Sequence, residues 1–163
     1  MTSEIDALDA RLLRAIAESP RAGVMELARQ LEVARGTVQA RLDKLRQRGV
    51  VTGFGPDLDL QCLGYGVLAF VTLEITQGAL DAVVEHLTTI PEVLEVHTTT
   101  GPGDLLCRVV APTNTDLQGL IDRMLASGGI VRTTTHVALT EQLKYRVLPL
   151  VDRVLEDDAE AAG

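Results

Sequence analysis

The sequence predicts an α+β chain in two parts, a winged helix-turn-helix in the first third followed by a βαββαβ domain. Three observations carry this expectation. Apolar residues recur at helical spacing in three short stretches before Gly49; strand and helix patterns alternate from Val67 onward; and a five-residue segment is echoed 35 positions later. With 163 residues, 46% of them apolar, the chain can bury two small cores.

Asp6 can cap a first helix whose Leu8, Leu12, Leu13 and Ile16 fall on one side, with Pro20 marking its end. Val24, Leu27, Ala28 and Leu31 then occupy i, i+3, i+4, i+7, a helix of about two turns. After a tight break at 32–35, Val38, Leu42 and Leu45 form the stripe of a third helix that stops at Gly49. Two short helices around such a turn are a helix-turn-helix. Residues 50–54 read as a strand, 55–57 as a turn and 58–60 as the returning strand, which together make a wing.

The second half reads as Val67–Ile75 extended, Leu80/Val83/Val84/Leu87 helical, Val93–Thr100 and Leu105–Ala111 extended, Leu117/Leu120/Ile121/Met124 helical, and Ile130–Thr140 extended. The echo of Val96-His97-Thr98-Thr99-Thr100 in Val131-Arg132-Thr133-Thr134-Thr135 fits two split βαβ halves. With both helices on one face of the sheet, the other needs cover. Thr98, Thr100, Cys107 and Val109 are placed there, and a second copy of the chain is the simplest cover. The expected boundaries are 1–60 for the head, 61–66 for a linker, 67–150 for the second domain and 151–163 for a frayed, acidic tail.

The formal net charge of −8 argues against a nucleic-acid partner until it is divided by position. Residues 21–55 hold seven Lys/Arg against three acids, a local +4 that leaves −12 elsewhere. On the third helix Thr37, Arg41, Lys44 and Arg48 share one flank of the core stripe, with Arg35, Gln39 and Arg46 on the other. Arg forks onto guanine and Gln onto adenine in the major groove, while Lys and later Arg residues suit phosphates. Arg35, Thr37, Gln39 and Arg41 are therefore the candidate base contacts, and Lys44 and Arg48 the candidate phosphate contacts, on double-stranded DNA. With two Phe, two Tyr and no Trp there is no platform for stacking single-stranded bases.

Catalysis and cofactors find no support. His86, His97 and His136 are scattered without the Cys or carboxylate spacing of a triad or metal site, and Gly53-Phe54-Gly55 is too short for a dinucleotide fingerprint. Cys62 and Cys107 read as buried free thiols. No secretory leader and no 18-residue apolar run is visible, so no membrane is expected and a reducing cytoplasm is the expected compartment.

These residues resemble the Lrp/AsnC, or feast/famine, family of transcriptional regulators. The resemblance rests on Ile5-Asp6-Ala7-Leu8-Asp9 with Leu12-Leu13, on Glu26-Leu27-Ala28, on Thr37 through Leu45, and on Gly49-Val50-Val51 with Gly53-Phe54. It implies a ferredoxin-like second domain that senses a small effector, in such regulators an amino acid, and assembles as dimers and rings of dimers. It also implies an effector site at the turn Gly101-Pro102-Gly103-Asp104, where glycines admit a carboxylate to backbone amides and Asp104 can receive an ammonium. Thr98, Thr100 and Thr134 are the accompanying candidates. Read from residue chemistry alone, the same turn is also an ordinary hairpin. Two departures stand out: Ala34 replaces the usual capping Ser of the third helix, losing about 1 kcal/mol, and Gly36 weakens its first turn by about 0.5–1 kcal/mol. A specific regulator is the leading expectation, and an architectural DNA packager with little sequence preference is the alternative.

Overall fold

The computed structural model describes residues 5–161. Its elements are α1 (Ala7–Glu18), α2 (Val24–Leu31), α3 (Arg35–Gln47), β1 (Val67–Ile75), α4 (Leu80–Thr88), β2 (Val93–Thr98), β3 (Leu105–Ala111), α5 (Asn114–Leu125), β4 (Ile130–Ala138) and α6 (Leu148–Ala161). They form two compact units. The residues up to Pro56 join those from Leu143 onward in one, and Asp57–Gln142 make the other.

In the first unit α1 begins at a reciprocal cap. The Asp6 carboxylate accepts from the Asp9 N–H at 2.8 Å, and the Asp9 carboxylate accepts from the Asp6 N–H at 3.4 Å. Glu32 ends α2 in the left-handed region at φ 57°, and the chain turns at once into α3. No side chain caps α3 at Ala34, as its sequence foretold. Its far end is closed by Gly49 at φ 70°, where the Val50 N–H donates to the Leu45 carbonyl and the Gly49 N–H to that of Arg46. Leu12, Leu27, Leu31, Val38, Leu42 and Leu45 are buried together, so the apolar stripes of all three helices meet in one core.

Two expectations are corrected here. The acidic tail is not frayed: α6 runs from Leu148 to Ala161 and packs along α1, with Arg14 bridging to Asp152 at 2.9 Å. Pro149 sits in its first turn, where a missing N–H costs nothing, and Leu148, Val151 and Leu155 repeat at helical spacing. The wing is not a paired hairpin, since no strand is formed between Val50 and Leu60. The returning strand is lost because the Asp59 carboxylate accepts from the Cys62 N–H at 2.9 Å and its carbonyl from Leu63, making a turn. Instead, Phe54 is held by the Arg46 guanidinium, 4.8 Å above its ring.

The second unit is a four-stranded antiparallel sheet in the order β2-β3-β1-β4, the ferredoxin-like arrangement, with α4 and α5 on one face. Ala69, Val71 and Leu73 of β1 and Leu105, Cys107 and Val109 of β3 point to the helices, meeting Val83, Leu87, Leu120 and Met124. This corrects the assignment of faces. Cys107 and Val109 are fully buried on the covered side, and Thr98 shares it because it pairs with Leu105. The uncovered face instead carries Phe70, Thr72, Leu106 and Arg108, with Thr134 and His136 from β4. Burial pushes the Cys107 thiol up to about 11, whereas Cys62 is exposed, contrary to the expectation for both. Among the described residues no helix is long and apolar enough to cross a membrane.

Because α6 packs against α1, truncation after Gln142 should lower the thermal midpoint of the first unit. Far-UV circular dichroism measures the shift. An unchanged midpoint would show that α6 contributes nothing to the helical unit.

Candidate nucleic-acid interface and effector turn

α3 buries Val38, Leu42 and Leu45 and leaves Arg35, Gly36, Thr37, Gln39, Ala40, Lys44, Arg46 and Arg48 exposed. At about 100° per residue the side opposite the core stripe presents Gly36, Ala40, Asp43 and Gln47. The two basic shoulders flank this narrow crest, whose small residues permit close approach of a neighbouring surface. Gln39 is turned along the helix, donating to the Asp43 carboxylate at 3.0 and 3.1 Å.

Arg41 is placed differently from its companions. Its Nη1 lies 2.7 and 2.6 Å from the two carboxylate oxygens of Asp6 and 2.7 Å from Oδ1 of Asp9. Its side chain is 29% exposed and that of Asp9 5%. The guanidinium thus ties α3 to the capped start of α1. Burial alone would raise the Asp6 pKa. The hydrogen bond and charge of Arg41, with the N–H groups of Asp9 and Leu8, outweigh it, and Asp6 stands below its ordinary value. The Arg41 pKa is raised, first by its hydrogen bonds to Asp6 and Asp9. Sequence reading missed this triad because Asp6 and Asp9 stand more than thirty positions from Arg41.

In the second unit the turn between β2 and β3 is fastened to β1. Gly101 adopts φ 116°, open to glycine. Gly103 is buried against β1: a Cβ there would lie 2.2 Å from the Thr72 Cγ2 and 3.3 Å from the Leu73 carbonyl oxygen. The Asp104 N–H donates to the Leu73 carbonyl at 2.9 Å, and its Oδ2 accepts from the Ile75 N–H at 2.8 Å. This clasp falls at the bulge between Glu74 and Ile75, where the ladder to β4 shifts register. Thr72 pairs with Thr134, so Gly103, Thr72 and Thr134 are brought together on the uncovered face. Thr98 lies on the opposite face, and Thr100 is exposed within the turn. Thr72 was not singled out from sequence, because only the strand register reveals its position. Among the described residues no three His, Cys, Asp or Glu side chains gather as a metal site.

Asp9→Asn should destabilise the first unit by roughly 2 kcal/mol, less than a fully buried pair because Arg41 keeps Asp6 and some water. The pH dependence has a definite sign. A carboxylate with a lowered folded pKa contributes stability that is full above its unfolded value, near 3.8, and is lost as pH falls through the folded value. Urea midpoints measured from neutral to acid pH should therefore fall less steeply in Asp6→Asn than in the parent chain. Equal slopes would contradict the triad.

Comparison with known proteins fits both units. A sequence model of the AsnC-type helix-turn-helix domain matches residues 5–46, and one of the Lrp/AsnC ligand binding domain matches residues 68–148. The HTH-type transcriptional regulator FL11 of Pyrococcus horikoshii is 27% identical over 150 residues, covering 92% of this chain and 99% of that protein. An uncharacterized HTH-type transcriptional regulator of Pyrococcus furiosus is 30% identical over 136 residues, covering 83% and 92%. Among solved structures, E. coli AsnC aligns with a TM-score of 0.81 at 29% identity, covering 90% of this chain and all of that one. The feast or famine regulatory protein of M. tuberculosis complexed with L-methionine aligns at 0.78 and 26% identity, covering 87% and 97%. With a DNA-binding helix-turn-helix and a ligand-binding domain in the same order, the chain belongs to the Lrp/AsnC family of transcriptional regulators.

Proposed function

We propose that this regulator recognises a defined operator in duplex DNA through α3 and that its binding or assembly answers to an amino acid held at the 101–104 turn. The exposed basic flanks of α3 in an otherwise acidic chain carry the first half of this reading. Arg35, Thr37 and Gln39 serve the base edges, with Gln39 released from Asp43, and Lys44 and Arg48 serve phosphates. Arg41 acts as a positioning residue through Asp6 and Asp9. Confining the cations to one surface keeps phosphate attraction local while the acidic remainder repels non-specific contact.

The second half rests on the turn. Gly101 and Gly103 leave backbone amides open to a carboxylate, the second oxygen of Asp104 suits an ammonium, and the hydroxyls of Thr100 and Thr134 complete the polar wall. The M. tuberculosis relative, solved with L-methionine, makes that amino acid the first probe. The uncovered sheet face, with Phe70 39% exposed beside Leu106, suits burial against a second copy, giving a homodimer that builds larger assemblies. In this reading the chain works in the cytoplasm and catalyses nothing.

The logarithm of the affinity for operator DNA should fall linearly with log salt, and Lys44→Ala should shallow the slope by about one. Arg35→Ala should cost about 1–3 kcal/mol and relax preference at one base pair. Random duplex that competes as well as operator would overturn specific recognition in favour of packaging. For the effector, a thermal-shift series over the twenty amino acids should find at least one that raises the midpoint, an effect lost in Asp104→Ala. No shift from any of them would contradict sensing at the turn.

A further inference from the structure

An open surface depression of about 540 Å3 lies on the second unit where α4 and α5 end, a volume comparable to small-molecule sites. None of its lining residues belongs to the 98–104 turn. His86 and Thr89 bring the end of α4 to it, Arg123 and Ala126 that of α5, and Glu92 the start of β2. Two helix C-termini with their partial negative charge thus converge on one opening. The Thr88 and Thr89 hydroxyls donate to two of the last carbonyls of α4, those of Glu85 and His86, at 2.7 Å each.

The polar groups are fixed in advance. Arg123 Nη2 lies 2.7 Å from Glu92 Oε1, and its side chain remains 54% exposed, so further guanidinium donors face outward. His86 Nε2 sits 2.8 Å from the Arg123 carbonyl oxygen, to which it donates. Ile90, Pro91 and Tyr65 supply the apolar wall.

We propose that this cavity binds a free α-amino acid with an apolar side chain, at a site separate from the 101–104 turn. The carboxylate sits on Arg123, the ammonium between Glu92 and the carbonyl ends of the two helices, and the side chain against Ile90 and Pro91. A dianion meets Glu92 and two negative helix ends. A simple amine leaves Arg123 without a ligand partner, and a simple carboxylate leaves Glu92 without one; only a zwitterion answers both. Occupancy also reaches beyond the pocket. Tyr65, which lines the opening, closes the turn that precedes β1, its N–H donating to the Leu60 carbonyl at 2.8 Å, so a ligand bound there braces that turn of the second unit. This assignment does not depend on the effector reading of the glycine turn.

The chain has two tyrosines and no tryptophan, and Tyr145 is 87% exposed. A Tyr145→Phe protein therefore reports on the cavity through Tyr65 emission alone. L-Leucine and L-methionine should change that emission saturably, and leucinamide and 4-methylpentanoate, each lacking one charge, should bind about tenfold more weakly. The response should persist when Asp104→Ala is added and weaken about tenfold or more with Arg123→Leu. Should Arg123→Leu fail to fold, Ala126→Phe occludes the cavity from an exposed position without removing a charge, and should abolish the response. Flat emission with both amino acids overturns the proposal. So does a response lost in Asp104→Ala but kept in Arg123→Leu and Ala126→Phe, which would place the ligand at the turn.

Discussion

Around Arg41 the first and third helices are held in one geometry. α3 starts poorly: Ala34 offers its first turn no side-chain cap, and Gly36 adds backbone freedom where a helix wants little. Such a helix cannot hold its own direction by local propensity. Its stripe of Val38, Leu42 and Leu45 fixes the depth at which it lies, and the bond from Arg41 to Asp6 and Asp9 fixes it against the start of α1. The same two carboxylates cap α1 reciprocally, so one charge cluster both begins the first helix and positions the third. Its partial burial matters, because an exposed pair would be worth little whereas Asp9 has almost no water to replace Arg41.

A comparable device works in the second unit. Asp104 fastens the β2–β3 turn to β1 through one backbone acceptor and one backbone donor, and Gly103 is small enough for the strands to meet there. The turn is consequently a shaped edge rather than a loose loop, set beside the bulge at Glu74 and Ile75. The charge distribution divides the chain in the same way, since cations gather on and around α3 and acids dominate elsewhere.

Much of this was legible in the sequence, because each core stripe repeats at the period of its element. Leu8 to Ile16, Val24 to Leu31 and Val38 to Leu45 announced three helices, and Asp6 announced the cap. The βαββαβ order followed from alternating patterns. Pairing partners were not legible. Which side of the sheet Cys107 and Val109 occupy depends on register with β1, and a shift of one residue reverses it. The tail was misread because the acids from Glu156 onward obscured the stripe of Leu148, Val151 and Leu155. The wing failed for a local reason, the competing turn made by Asp59. Arg41 shares its flank with Thr37, Lys44 and Arg48, and only the approach of α1 gives it carboxylate partners there.

The central claim is that α3 meets DNA with its basic flanks while Arg41 is held back to orient it. A double-mutant cycle of Arg41→Met and Asp9→Asn, read as operator affinity across a range of salt concentrations, tests it most directly. If Arg41 acts through Asp9, each change weakens binding, the double variant is scarcely worse than either, and the salt slope stays that of the parent. If Asp9→Asn leaves binding intact or strengthens it, and Arg41→Met lowers the slope by about one, then Arg41 contacts DNA itself and the account is wrong.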